Sequence, residues 1–195
     1  MFESQKVYHI YNRANGRENL FIEEKNFHFF LEKYFRHISP VAETYAFCLM
    51  PNHFHIMIKI KHEDEVISDL GTDTVKRFGT FGKLVSKQFS NLFSSYTQAL
   101  NKSYCRTGSL FQPNLKKKEV TSDAYFTKLI LYIHNNPVKH GFVQTPYDWQ
   151  FSSIHQLTST EACGLKQKEV IDWFGDINQF KKSHTNIGII ESVFD

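Results

Sequence analysis

Leu49-Met50-Pro51-Asn52-His53-Phe54-His55-Ile56-Met57-Ile58 is the stretch from which the rest of this chain can be read. Phe47, Leu49, Ile56 and Ile58 give two β-prone apolar runs, and Pro51-Asn52 punctuates them as a turn. The expectation is a hairpin with strands at roughly Glu43 to Leu49 and His53 to Lys61. Side chains alternate along a strand, so His53 and His55 share one face at its start. There they form a rigid, accessible platform on which two imidazoles can grip one metal ion. The bare pattern is weak, because a chain with ten histidines carries an H-x-H by chance about half the time.

Working outward, Lys6 to Asn12 reads as a strand and Arg13 to Arg17 as a glycine-containing loop. Glu23 to His37 reads as a helix: acidic residues open it, Phe27, Phe30, Leu31, Tyr34 and Phe35 recur at helical spacing, and Ser39-Pro40 ends it. His62 to Asp73 is polar and loop-like. From Val75 to Lys102 the pattern is again helical, weakened at its start by Gly79 and Gly82. Leu115 to Val120 reads as an edge strand because of its lysine triplet. A further helix, capped by Thr121 or Ser122, carries Tyr125, Phe126, Leu129, Ile130, Tyr132 and Ile133, and Pro137 should end it at Asn136. A last helix is expected over Lys166 to Phe174.

The order βαββαβα predicts an α+β fold: a ferredoxin-like antiparallel sheet covered by helices on one face. Residues 1–150 would form the catalytic domain, and residues 151–195 a C-terminal extension packed on it.

Bulk composition narrows the class. With 195 residues, 41% hydrophobic and 22% charged, the chain has the makings of one globular domain with a full core. The net charge is only +3, which excludes a uniformly basic nucleic-acid coat. Basic residues nonetheless recur through the middle, from Lys76, Arg77, Lys83 and Lys87 to Lys102, Arg106 and Lys116-Lys117-Lys118, as suits a polyanionic partner. The nineteen phenylalanines belong mainly in the core, though exposed ones could stack on unpaired bases. Cys48, Cys105 and Cys163 lack paired spacing, which argues against a disulfide framework and a structural zinc site. No run approaches a membrane span and Met1 to Lys6 lacks a signal-peptide core, so a cytoplasmic location is expected.

Tyr132 and Asn136 are four residues apart on a helix and so share a face. Taken singly, a helical tyrosine is a packing residue and an asparagine before proline a helix terminator. Together with His53 and His55 they suggest chemistry. A phenol ionises near pH 10, so a tyrosine nucleophile needs a nearby cation and a polarised phosphate. Two imidazoles and an amide oxygen leave positions for water or phosphate, a set compatible with Mg²⁺ or Mn²⁺, whereas zinc asks for a further His, Cys or carboxylate. Attack by the tyrosine would leave a 5′-phosphotyrosyl link that conserves bond energy for rejoining.

Six ordered pieces carry a resemblance: Tyr11-Asn12-Arg13, Met50 to His55, Arg106-Thr107-Gly108-Ser109-Leu110-Phe111-Gln112, Tyr132-Ile133-His134-Asn135-Asn136-Pro137-Val138-Lys139-His140-Gly141, Asp148-Trp149 and Ser152-Ser153. With these the chain resembles the single-tyrosine HUH transposases, in particular the REP-associated tyrosine transposase branch. The resemblance implies an HUH nuclease core with His53 and His55 as metal ligands, Asn136 as the third ligand and Tyr132 as nucleophile. It implies nicking and strand transfer of hairpin-containing single-stranded DNA, and it raises assembly as a homodimer with a shared active site. Arg13, Lys116, Lys117 and Lys118 are candidate DNA contacts by charge and position, and His134 is expected to be structural or on the surface. A second reading keeps the fold as a non-cutting, domesticated binder of structured single-stranded DNA. A third, a metalloenzyme using water, leaves Tyr132 and Asn136 without a role.

Overall fold

The computed structural model describes residues 1–161 and 164–185. Cys163 and positions 186–195 of the expected extension lie outside the described residues. Four strands, β1 (Val7–Arg13), β2 (Ala42–Met50), β3 (His53–Ile60) and β4 (Lys116–Glu119), form one sheet in the order β2-β3-β1-β4. Every neighbouring pair is antiparallel. With α1 (Glu24–Ile38) between β1 and β2, and α2 (Glu63–Leu70), α3 (Thr72–Phe78) and α4 (Phe81–Ser103) between β3 and β4, this is the ferredoxin-like arrangement. The helix α5 (Asp123–Lys139) follows β4, and α6 (Ile154–Thr158), α7 (Gln167–Trp173) and α8 (Ile177–Thr185) complete the described chain.

Helices cover both faces of the sheet, not one. Tyr8, Ile10, Phe54, Ile56 and Ile58 form an apolar face against α1 and α4, where Phe54 meets the rings of Phe30 at 5.5 Å and Phe93 at 6.0 Å. The alternate side chains His9, Tyr11 and His55 face the opposite way, toward Tyr132 of α5. Strand alternation therefore separates a dry aromatic core from a polar face that α5 covers. A helix placed there brings its own chemistry to the histidines.

Three of the departures from the sequence expectation have a plain physical reason. The segment from His62 is a helix, α2: the His62 ring accepts from the Asp64 amide at 3.3 Å, and Glu63, Asp64 and Glu65 suit the positive helix end. Its apolar signal is faint because Val66 is its one buried residue. The long helix expected from Val75 is broken in two at Gly79, whose φ of +78° closes α3; Thr80 then caps α4 by accepting from the Lys83 amide at 3.4 Å. Finally, α5 runs through Pro137 to Lys139. Proline forfeits one backbone bond near the helix end, and Asn136, Pro137 and the turns before them are buried, which outweighs the local preference.

The segment after Trp149 packs on the same core. Phe151 and Ser153 exchange backbone bonds with Leu49 and Phe47 along the outer edge of β2 (3.0 and 2.9 Å). The Lys166 amide donates to the Thr44 carbonyl at 2.9 Å, and the Tyr45 hydroxyl to Glu169 at 2.7 Å. Among the described residues no helix is long and apolar enough to cross a membrane.

Candidate active site

Pro51 and Asn52 form the tip of the β2–β3 hairpin, with Met50 paired to His53. The chain after β1 braces this tip: the amides of Leu20 and Phe21 both donate to the Pro51 carbonyl, at 2.7 and 3.0 Å. His53 thus starts β3 on a doubly held turn. Its Nδ1 lies 2.7 Å from Asn52 Oδ1 and its Nε2 lies 3.0 Å from Asn136 Oδ1. The hairpin and α5, 83 residues apart in sequence, meet at this pair. The rings of His53 and His55 are edge to face at 5.3 Å, and the His55 ring meets that of Tyr132 at 5.3 Å. The fold therefore gathers His53, His55, Tyr132 and Asn136 into one locus.

His55 is 6% exposed, so the accessible platform expected from sequence holds for His53 but not for its neighbour. The reason is α5, which lies over that face of the sheet. Burial, then the electrostatic cost of a second proton near His9, His53, His140 and Lys139, pushes the His55 pKa well below the ordinary imidazole value. His9, on β1, has Nε2 2.9 Å from His55 Nδ1, and burial followed by Lys118 lowers its pKa to about 3. Both rings are neutral at physiological pH, the state a metal ligand needs. When His55 Nδ1–H donates to His9, the His55 Nε2 lone pair is left to act as a ligand, an outer-shell arrangement common at metal sites.

The donor atoms themselves test whether a cation fits. If His53 Nδ1–H donates to Asn52 Oδ1, then His53 Nε2 and Asn136 Oδ1 point lone pairs at each other across 3.0 Å. The Asn136 Nδ2 atom is buried with no hydrogen-bond partner. Rotating the Asn136 amide, or placing a cation against both lone pairs, relieves the conflict. A separation of 3.0 Å is also close to the edge of an octahedron whose ligands lie about 2.1 Å from Mg²⁺. Among the described residues no three His, Cys, Asp or Glu side chains form a metal-holding group. An ion held here would rely on the amide and on water or phosphate, as hard divalent cations do.

A cleft of about 450 Å³ opens beside this locus, lined by Arg13, His53, His55, Lys116, His140 and Phe142 among others. Arg13 and Lys116 thus reach the cleft. Lys117 does not: alternation on β4 turns it to the α1/α4 face, where Nζ donates to the Met1 carbonyl at 2.8 Å and sits over the Phe2 and Tyr8 rings at 4.9 Å. Lys118 returns to the α5 side and lies over Tyr125 at 5.3 Å. Arg106 is committed to Glu18 and Asn101. Tyr132 itself is 2% exposed, with Lys139 Nζ 5.4 Å from its ring centre.

Sequence reasoning passed over His9, although a histidine at an inward-facing position of a central strand is a signal in its own right. Lys139 ends α5, His140 and Phe142 follow it, and none of the three carried a periodic signal. His134 is fully buried, with its ring nitrogens at 2.8 Å from His184 Nε2 and 2.8 Å from Ser153 Oγ. It is structural and not on the surface.

With this geometry in place, comparison with known proteins is direct. No protein-family model matches the chain. A protein of Haemophilus influenzae named as a REP-associated tyrosine transposase is 25% identical over 121 residues, covering 61% of this chain and 62% of that protein. The REP-associated tyrosine transposase of Escherichia coli K12 is 26% identical over 138 residues, 71% of this chain and 66% of that one. Among solved structures, a REP-associated tyrosine transposase bound to a REP hairpin superposes with a TM-score of 0.60 at 19% identity, covering 80% of this chain and 81% of that chain. The chain is thus similar, over most of its length, to proteins named REP-associated tyrosine transposases. Its α+β fold is that of this structural neighbour. The matched stretches span less than two thirds of the two relatives' length.

Proposed function

We propose that this protein nicks and rejoins single-stranded DNA carrying a hairpin, through a covalent 5′-phosphotyrosine at Tyr132. The observation that carries this is the gathering of His53, His55 and Asn136 beside the Tyr132 ring, with His53 Nε2 3.0 Å from Asn136 Oδ1. The relative solved with a REP hairpin supports hairpin DNA as the partner. His53 Nε2, His55 Nε2 and the Asn136 amide oxygen would hold Mg²⁺ or Mn²⁺, which supplies Lewis-acid polarisation of the scissile phosphate. Arg13 and Lys116 bind the backbone phosphates at the cleft mouth. The Tyr132 oxygen attacks phosphorus, the 3′ oxygen leaves, and the 5′ phosphate stays on the enzyme. Lys139 Nζ, 5.4 Å from the Tyr132 ring centre, is placed to pair with the phosphate that Tyr132 attacks.

The alternative of a non-cutting binder has the same fold and cleft. It has no use for the lone-pair arrangement at His53 and Asn136, and so is the second reading. Incubation with hairpin-containing single-stranded oligonucleotides and Mg²⁺ or Mn²⁺, followed by a denaturing gel, separates the two. The expected result is a protein–DNA adduct whose linked peptide contains Tyr132, lost in Tyr132→Phe while DNA binding persists. Tyr125, two turns earlier under Lys118, is the competing nucleophile. An adduct mapped to Tyr125, or binding with no adduct under any metal, would sink the assignment.

A further inference from the structure

The exposed apolar side chains of the described residues are few, and one of them stands in the cleft. Met1, Ile22, Phe142 and Trp173 are the large hydrophobics left open to solvent. Trp173 packs on Phe126 and donates to Thr127, and only Phe142 lines the cleft with His53, Arg13 and Lys116. Phe142 is 50% exposed. A phenyl ring has no polar end that gains from water, so this exposure is unfavourable unless something covers it.

Its position is fixed from the active-site side. Gly141 adopts φ +71°, a left-handed turn that glycine enters without strain, and reverses the chain after α5. The amides of His140, Gly141 and Phe142 donate in order to the carbonyls of Asn136, Val138 and Pro137, at 3.0, 2.9 and 2.9 Å. Three bonds thus tie Phe142 to the last turn of the helix that carries Asn136. From behind, Trp149 meets the ring at 5.6 Å and 56°. Trp149 is itself anchored, donating Nε1–H to the Leu49 carbonyl at 2.9 Å. The phenyl ring is therefore held against a rigid support with its remaining surface toward the cleft.

We propose that Phe142 is a stacking platform for one unpaired base of the strand whose backbone is held by Arg13 and Lys116. This rests on the function proposed above and adds a base-binding subsite to it. The cleft pairs a flat apolar face with cations, the combination that suits single-stranded nucleic acid, because every base has a π-face and every nucleotide a phosphate. A duplex stem presents its phosphates but keeps its bases stacked internally, so the platform selects an unpaired flank and not the stem.

The test uses the full chain with single-stranded DNA hairpins bearing unpaired flanks, in which 2-aminopurine replaces successive flank bases. Stacking quenches its fluorescence. Wild type should quench one flank position, Phe142→Trp should retain that quench, and Phe142→Leu, which keeps an apolar contact with Trp149 but no flat face, should lose it. Phe142→Leu should also weaken flank binding by roughly 5- to 150-fold, the range of one base–aromatic stack, while a flankless hairpin binds as before. If no flank position shows a quench that depends on Phe142, or if the leucine variant binds flanked DNA as well as wild type, the platform is refuted. Adduct yield is read on the same samples. A quench dependent on Phe142 without an adduct would overturn the nuclease reading and keep the platform, and an adduct without that quench would do the reverse.

Discussion

His55 and His134 are both buried imidazoles packed about the helix α5, and each places one ring nitrogen against a second histidine. Around His134 the hydrogen bonds close completely. His184 Nδ1–H donates to the Phe180 carbonyl at 2.8 Å, leaving Nε2 to accept from His134 Nδ1; His134 Nε2 faces Ser153 Oγ, which accepts from the Phe47 amide at 2.8 Å. Every nitrogen is satisfied and the group ties α5, α8 and β2 together. Around His55 they do not close. His9 takes Nδ1, and beside the site the buried Asn136 Nδ2 has no hydrogen-bond partner. Two residues from His134 along the chain, Asn136 turns its amide oxygen toward His53. Burial and a lowered pKa are common to both groups. What separates a ligand set from a structural one is whether a lone pair is left over.

The largest effect should come from crossing the two groups in an activity assay. On the proposed function, His53→Ala and Asn136→Ala are expected to lower adduct formation by at least about 100-fold, since each would remove a direct donor to the proposed ion. His134→Leu should leave the rate per folded molecule within a few-fold of wild type. Adduct yields normalised to folded protein check this, and a His134 variant as inactive as His53→Ala would erase the distinction.

Stability should rank the same residues in nearly the opposite order. His134→Ala opens a sealed cavity and strands both Ser153 and His184, at a cost of about 2–4 kcal/mol. His55→Ala opens a cavity and removes the hydrogen bond between His55 and buried His9, at about 1–3 kcal/mol. His53→Ala, at a partly exposed turn, should cost under about 1 kcal/mol. Urea denaturation of the three variants decides it: equal midpoints for His53→Ala and His134→Ala would show that the His134 group is no staple.

Much of this frame was legible in the chain. The hairpin around Pro51-Asn52 announces itself by turn chemistry and strand periodicity, and the stripe of Phe27, Phe30 and Tyr34 fixes α1. The coincidence of His53 with Asn136 was readable only as four-residue spacing beside an H-x-H, and motif resemblance did the rest. Three things were not legible. Covering of the second sheet face by α5 is a tertiary event, and it buries His55, which the strand pattern left open. The partnership of His9 with His55 is diagonal across β1 and β3, so it needs the register of Tyr11 opposite His55. The division of Lys116, Lys117 and Lys118 between sheet faces follows from alternation, but only once β4 is known to be a strand with both of its faces approached.

A third contrast is with pH. Burial holds His184 at about 4, below its value in the unfolded chain, and holds His134 low as well. The unfolded state therefore binds more protons across that interval, so stability rises with pH there. The full contribution is present above about pH 6.5 and is lost progressively as pH falls toward 4. Replacing His184 by Gln should flatten the slope of unfolding free energy against pH in that window, by up to about 1.4 kcal/mol per unit. Urea titrations at pH 7, 6 and 5 would measure it, and an unchanged slope would mean His184 is protonated in the fold.

The smallest expected effect compares neighbours on one strand. Lys116 lines the cleft, whereas Lys117 is bound to the Met1 carbonyl on the far face. Each phosphate neutralised by a protein cation releases counterions, which for single strands lowers the slope of log affinity against log salt by about 0.7. Lys116→Gln should therefore reduce the salt slope for flanked hairpin DNA by roughly that amount and weaken binding modestly at low salt. Lys117→Gln should leave the slope alone and instead loosen the N-terminus, through loss of the Met1 bond and of its contact with the Phe2 and Tyr8 rings. Both residues carry the same charge and sit side by side in sequence, so composition and net charge cannot tell them apart. Binding isotherms at several salt concentrations can. Equal slope changes for the two would mean that DNA reaches around the edge of β4, and that the cleft is not the sole path of the strand.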